Sequence, residues 1–540
     1  MIILSLMFLF VIFVVMLVAG ICSQALPKEE KQLLEKWQCN YLPVGVCSLL
    51  FASVFLVCMY KNPVSFTYVI CVAAFLCCMG YVYQKMELVP GRAEKICGIF
   101  MLLASLSTAL TDSWVIQTGN HVLVLLGMLV FSVLGYGKEK EQDLFQWLRC
   151  LVLMICESFV SAFAVFGHIK YWKGENKETG KTKYVVLGLL CGIPLVLTVA
   201  LILCSADAIF AKWFEGVFKL KWFGNLFSYA LMFLVGFFGF YGVSFGGLRT
   251  SLRNFPKWEK KFEPVVAITA ATMVLVVYVL FAYIQIRYLF LGGIWSLPEK
   301  FTYAEYARQG FFQLLFVSIL NYIMVLGVLE FFGESRVLKY LMTAISLCTY
   351  VMIASSFYRM ILYIRIYHLT FLRIVVLYFL VGLAVLFGWL IASVYCNNLH
   401  FLRNTVITIA AFYLVFAYAR PDYWVAYYNS AVNETLTQED WCNMAEELSL
   451  DAAPVLLAHQ PSEFMEMESK AGDEKRENLY DEDEYEYQCY DNDIAYDSKK
   501  YYAAVFKEYK KAIEEKQKKL SVRKFNLSVY RAGKALEKSE

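Results

Sequence analysis

The chain has 540 residues, 59% of them hydrophobic and 18% charged, against about 45–50% and about 25% in soluble domains. The apolar residues come in long uncharged runs over the first 420 positions, which excludes an ordinary soluble enzyme, a disordered chain and a nucleic-acid binder and leaves a multi-pass membrane protein. The net charge of +3 is a cancellation, because residues 1–420 carry 33 Lys and Arg against 20 Asp and Glu, and residues 421–540 carry 16 against 26.

A membrane-crossing helix needs about 20 mainly apolar residues. In chain order the candidates are 1–20, 42–60, 63–83, 96–111, 120–136, 147–167, 184–206, 226–248, 264–290, 309–332, 338–364, 372–396 and 402–419. The first lacks a basic leading region, its apolar stretch is too long for a signal peptide, and Gln24-Ala25-Leu26 is a poor cleavage site, so it reads as a retained span. Early loops carry their Lys and Arg after odd spans (Lys28, Lys31, Lys85, Arg92) and later loops after even ones (Lys170, Lys173, Arg249, Arg253). This change of parity implies that one candidate does not cross. The segment 147–167 is the suspect, since Glu157 at its middle is costly in hydrocarbon. Laid flat, it leaves twelve spans; crossing, it leaves thirteen and makes Glu157 a buried carboxylate. The expected fold is therefore an all-α polytopic helical membrane bundle of 12–13 spans over 1–420, followed by a small helical acidic C-terminal domain over 421–540.

Within that tail, 421–458 holds short helical patterns, with Asp440 placed to start one and Leu448, Val455 and Leu456 as apolar anchors. Residues 461–497 carry 14 acidic and 3 basic residues and read as a disordered acidic insertion. Residues 498–520 are amphipathic, which predicts a helix burying Val505, Phe506, Tyr509 and Ile513 against 421–458. Segment 301–312 is predicted to be a helix entering the next span. Twelve spans starting outside, or thirteen starting inside, make the C-terminal domain extracytoplasmic, whereas thirteen starting outside would hold it in; the Lys-rich stretch 507–524 argues mildly for the inside but lies far from the last span in sequence.

Six stretches taken together carry a family resemblance. They are Ser205-Ala-Asp-Ala-Ile-Phe210; Thr302–Phe312; Tyr358-Arg-Met360 with Tyr367-His-Leu-Thr370 and Leu372-Arg373; Ala426-Tyr-Tyr-Asn429; Leu448-Ser-Leu-Asp-Ala452 with Pro454; and Arg523-Lys-Phe-Asn-Leu-Ser528 with Tyr530-Arg-Ala532. In this order they resemble the bacterial multi-pass membrane group called "domain of unknown function" 4153/4173, over roughly 180–540. The resemblance implies a plasma-membrane location and no reaction.

Chemical motifs are lacking. The five histidines are widely spaced without H-E-x-x-H, and neither a phosphate-binding G-x-x-x-x-G-K-[ST] nor a G-x-S-x-G elbow occurs. No metal site and no cofactor is expected, and the sixteen cysteines read as small hydrophobes without a disulfide framework. Gly188-x-x-x-Gly192 and Gly242-x-x-x-Gly246 read as close helix-packing faces. The residues left for function are polar ones at membrane depth: Glu157, Asn321, Glu330 and Arg359, with Glu330 the candidate partner of Arg359. Three functions fit. One is a transporter-like protein with Asn321, Glu330 and Arg359 in a central polar cavity and a small-molecule substrate that the sequence does not identify. A second is a non-catalytic envelope sensor or scaffold that presents the tail to a protein partner. The third is a membrane enzyme on a lipid-linked substrate. All three have the lipid bilayer as a partner and none has nucleic acid.

Overall fold

A computed structural model describes residues 41–62, 64–136, 144–166, 168, 203, 207, 221–252, 262–287, 310–396, 400–432, 436–459 and 492–539. The candidate spans 1–20 and 184–206, most of the helix expected over 301–312, and nearly all of the acidic insertion lie outside these residues. The described chain forms sixteen α-helices and no strand beyond an isolated bridge between Phe262 and Phe332. Nine of them are long and apolar enough to cross a membrane, as an all-α polytopic bundle requires.

Backbone contacts divide the chain into two compact units, Met1–Leu106 with Gly119–Lys257 and Ser107–Thr118 with Trp258–Glu540. The first is built from α1 (Tyr41–Met59), α2 (Thr67–Lys85), α3 (Arg92–Thr108), α4 (Trp114–Tyr136), α5 (Leu144–Ala162) and α6 (Lys221–Leu252). Its centre is aromatic: Phe51 and Phe75 each pack on Phe240, with ring centres 5.4 and 5.6 Å apart. Helix α5 runs antiparallel to α6. Glu157 sits beside Arg249 at one end of the contact, while Phe163 and Phe166 meet Phe238 at the other. Gly242 and Gly246 make the approach possible, since a Cβ on Gly246 would lie 2.7 Å from Ser158 backbone atoms. This is the small-residue packing read from the sequence.

Helix α5, the segment whose crossing the loop charges leave open, follows α6 along its length and is not among the nine helices long and apolar enough to cross. Its carboxylate is not a lone charge: Glu157 is buried with the Arg249 guanidinium 3.8 Å away.

In the second unit the spans are α7 (Pro264–Gln285), α8 (Phe311–Phe331), α9 (Arg336–Tyr367), α10 (Phe371–Tyr395) and α11 (Phe401–Ala419). Their core runs through Val325, Met342, Ile345, Leu380, Phe387 and Leu390, all fully buried. Val265, Met273, Val276, Phe316 and Ile323 point outward and are exposed, an apolar surface that water would not tolerate and lipid would. Helix α8 starts only at Phe311: Gly310 precedes it at φ +86°, so the helix expected to run from 301 into the span is broken there.

The tail continues as α12 (Pro421–Val432), α13 (Gln438–Glu447), a 3₁₀ turn at Leu450–Ala452, α14 (Ala453–His459), α15 (Asn492–Lys518) and α16 (Leu527–Ser539). Asp440 starts α13 through a capping box with Thr437. Phe506, Tyr509 and Ile513 of α15 are buried, with Val505 partly so, in one apolar cluster with Trp441, Leu448 and Leu456. An isolated helix of that polarity would be marginal, and burial of this stripe is what holds it.

Candidate functional site

Of the polar residues expected at membrane depth, Glu157 pairs with Arg249 in the first unit, and Asn321, Glu330 and Arg359 of the second unit do not meet. Asn321 is buried in α8, accepts from Tyr278 Oη at 2.6 Å and donates to Thr349 Oγ1 at 2.9 Å. Arg359 is buried in α9 and donates to Gln285 Oε1 at 3.3 Å. Glu330 is half-buried at the end of α8. Helices α8 and α9 form a hairpin turned between Phe331 and Arg336, so Glu330 lies at the turn. Arg359 lies 23 residues along α9, roughly 35 Å away at 1.5 Å per residue. It sits instead beside the start of α8, where a Cβ on Gly310 would be 3.1 Å from its Nη1. Glu330 and Arg359 therefore stand at opposite ends of the hairpin and do not pair, and one hydrogen bond of Arg359 goes to Gln285. Asn321 lies between the two ends in a separate site.

Polar groups do converge at one end of the second unit, outside the spans, around the turn 109–113. Thr111 Oγ1 donates a short hydrogen bond to Asp451 Oδ2. The Ser113 amide donates to the same Thr111 hydroxyl at 3.0 Å. Ser449 Oγ donates to Asp422 Oδ2 at 2.5 Å and accepts from the Asp451 amide at 3.4 Å, so one serine bridges two buried aspartates. Asn526 closes the far side. Its Nδ2 donates to the Thr111 and Thr108 carbonyls at 3.0 and 3.4 Å, while its Oδ1 accepts from the Ser528 and Val529 amides and caps α16. The Leu527 amide donates to Ala109 O at 2.8 Å, and Lys516 reaches Asp112 Oδ2 at 2.7 Å.

Burial pushes both aspartates above the ordinary carboxylate range. At Asp422 the Ser449 hydrogen bond opposes this and the neighbouring Asp451 adds to it. At Asp451 the hydroxyls of Ser528 and Thr111 and the charge of Arg420 oppose it. Tyr509 is also pushed up by burial, then by Asp112, Asp422 and Asp451. Asp451 Oδ1 and the Tyr509 hydroxyl are buried without a hydrogen-bond partner among the described residues, and the Ser528 hydroxyl lies beside the carboxylate without well-formed geometry. Such groups accept a proton or an ordered water readily. Among the described residues no cluster of three His, Cys, Asp or Glu side chains has metal-holding geometry.

A second polar clamp joins the same end of the spans to α12. Asn429 Nδ2 donates to Leu369 O and its Oδ1 accepts from the Leu369 amide, both at 2.8 Å. This satisfies both polar groups of one backbone unit in the turn between α9 and α10, where His368 takes φ +63°. Asp440 Oδ2 lies 3.6 Å from His368 Nε2. The Tyr367–Thr370 stretch thus meets Ala426–Asn429, while Leu448–Ala452 and Arg523–Ser528 meet the turn 109–113. Four of the stretches that carry the family resemblance come together at span ends. Thr111, Ser113 and Asp422 were not singled out from the sequence, because nothing local marks them.

The family model described as "Domain of unknown function (DUF4153)" matches residues 98–459. The chain belongs to this family. The match takes in the turn 109–113, Asp422, Asn429 and Asp451, and so covers most of the polar centre; it starts well before residue 180, and the Arg523–Ser528 stretch lies beyond its end. No curated protein and no solved structure matches the chain. Membership in the family, with nine apolar helices, makes this an integral multi-pass membrane protein.

Proposed function

We propose that the protein is a non-catalytic plasma-membrane scaffold, in which the spans hold the C-terminal helices in a fixed position and present them to a partner. The observation that carries this reading is the distribution of polar groups. Among the described residues Asn321, Glu330 and Arg359 are spread along the bundle rather than gathered at one point, whereas the buried polar centre at Thr111, Asp422 and Asp451 ties the tail to the span ends. A transport path needs convergence within the membrane, and a rigidly held tail needs the reverse.

We place the tail outside the cytoplasm, the side to which the loop charges point. The Lys-rich stretch does not decide the side, because orientation is set by basic residues in short loops and close to span ends along the chain. Cys489 decides the side: after replacement of Cys442, an impermeant thiol reagent should label it on intact cells, and labelling only after lysis would put the tail in the cytoplasm.

The scaffold reading is tested by photocrosslinking from exposed tail positions such as Tyr501 in cells, alongside ion-flux assays on proteoliposomes. A discrete adduct that disappears in Thr111→Val with Asp451→Ala, and no flux, is expected. Flux abolished by Asn321→Leu, without an adduct, would favour a transporter.

A further inference from the structure

The segment that follows the buried part of α15 has a composition unlike the rest of the tail. Residues 516–536 carry seven Lys and Arg and no Asp or Glu, in a tail whose net charge is −10. The turn between α15 and α16 exposes Val522 almost completely, at 97%, and Phe525 at 40%, flanked by exposed Lys519, Arg523 and Lys524. The tail's own core takes Leu520 from this segment but neither Val522 nor Phe525, whose ring lies 6.1 Å from that of the exposed Tyr530.

The position of this turn says what it faces. Asn526 and Leu527, immediately after it, are hydrogen-bonded to the carbonyls of Thr108, Ala109 and Thr111. Three residues on, the span α4 begins at Trp114, whose ring is 74% exposed. An exposed Trp at the first residue of a span marks the headgroup level of the bilayer. The turn 519–525 is therefore pinned within a few residues of that level.

We propose that the turn 519–525 docks on the surface of the surrounding membrane, with Val522 and Phe525 entering the interface and Lys519, Arg523 and Lys524 binding the phosphates of anionic lipids. Apolar insertion and attraction to anionic headgroups act together in interfacial segments, and both parts are present here on one turn. Docking adds a second attachment for the tail, parallel to the polar centre. It holds whether or not the tail presents a protein partner.

The experiment uses the full-length protein in nanodiscs, with an environment-sensitive fluorescent amino acid in place of Val522 and, as reference, in place of the exposed Lys507 on α15. Nitroxide-labelled lipids quench a fluorophore at headgroup depth. In discs containing phosphatidylglycerol, quenching at 522 should be several-fold stronger than at 507. It should fall toward the 507 level in Arg523→Glu with Lys524→Glu, and in discs of phosphatidylcholine alone. Equal quenching at 522 and 507 in anionic discs overturns the proposal, and an acidic protein or RNA bound on this face would give that result. Equal quenching at 522 in anionic and neutral discs overturns the anionic-lipid recognition.

Discussion

Asn526 is the residue whose replacement separates two jobs that the structure gives to one side chain. Its Oδ1 caps α16 by accepting from the Ser528 and Val529 amides, and its Nδ2 ties that helix to the Thr108 and Thr111 carbonyls. Asn526→Ala removes both. Loss of an N-cap costs about 0.5–2 kcal/mol, and each buried hydrogen bond about 0.5–1.5 kcal/mol. The sum for the alanine variant is about 1.5–5 kcal/mol, or roughly 10- to 4,000-fold in the local opening equilibrium. Asn526→Asp keeps the cap, which a carboxylate at a helix N-terminus serves well, but turns the tie into a repulsion between carboxylate and carbonyls. Hydrogen–deuterium exchange of the protein in nanodiscs reads both. In Asn526→Ala, peptides covering 107–113 and 527–535 should both lose protection by factors in this range. In Asn526→Asp, only the 107–113 contact should open while α16 keeps its protection. A change below about threefold in both peptides of the alanine variant would refute the assigned hydrogen bonds.

Three further outcomes follow from the packing and the buried charges. Asp422 and Asp451 have folded-state values raised above the unfolded carboxylate, so the folded tail binds more protons than the unfolded one. Tail stability should be greatest in acid and fall as pH rises through the folded values, and Asp451→Asn should flatten that slope in melting curves taken across a pH series. Phe506→Ala empties a fully buried site between α15 and its neighbours, and should cost the tail about 3–5 kcal/mol in denaturant titrations. Gly246→Ala puts a methyl group against Ser158 and should lower stability by about 1–3 kcal/mol, read as a lower melting temperature in detergent; an unchanged value would mean that α5 does not pack on this face of α6.

The spans were legible because a bilayer imposes one simple rule, a continuous apolar run of sufficient length, and α7, α8, α10 and α11 begin within two residues of where the composition puts them. The stripe Phe506, Tyr509, Ile513 was legible for the complementary reason, a 3.6-residue period in a polar helix. What the sequence hides is pairing across distance. Thr111 and Asp451 are 340 positions apart, and no local pattern links a threonine in a short turn to an aspartate in a 3₁₀ turn. Glu330 looked like the partner of Arg359 because both are charged and near in sequence, but a tight hairpin sends them to opposite ends, where Arg359 meets the neutral Gln285. Glu157 looked like a lone charge because Arg249 lies far along the chain and only the packing of α5 on α6 brings it within 3.8 Å.

The account rests on the tail being fixed to the 109–113 turn through Thr111 and Asp451, and a double-mutant cycle between these two residues measures that attachment directly. Thr111→Val, Asp451→Asn and the double variant are compared for the free energy of tail opening in nanodiscs, read by exchange of the α15 and α16 peptides. A hydroxyl bonded to a buried carboxylate predicts a coupling energy of about 1–3 kcal/mol. Additive effects of the two substitutions, with coupling near zero, would mean that the tail is held by its own core alone and that the polar centre does not join it to the membrane domain.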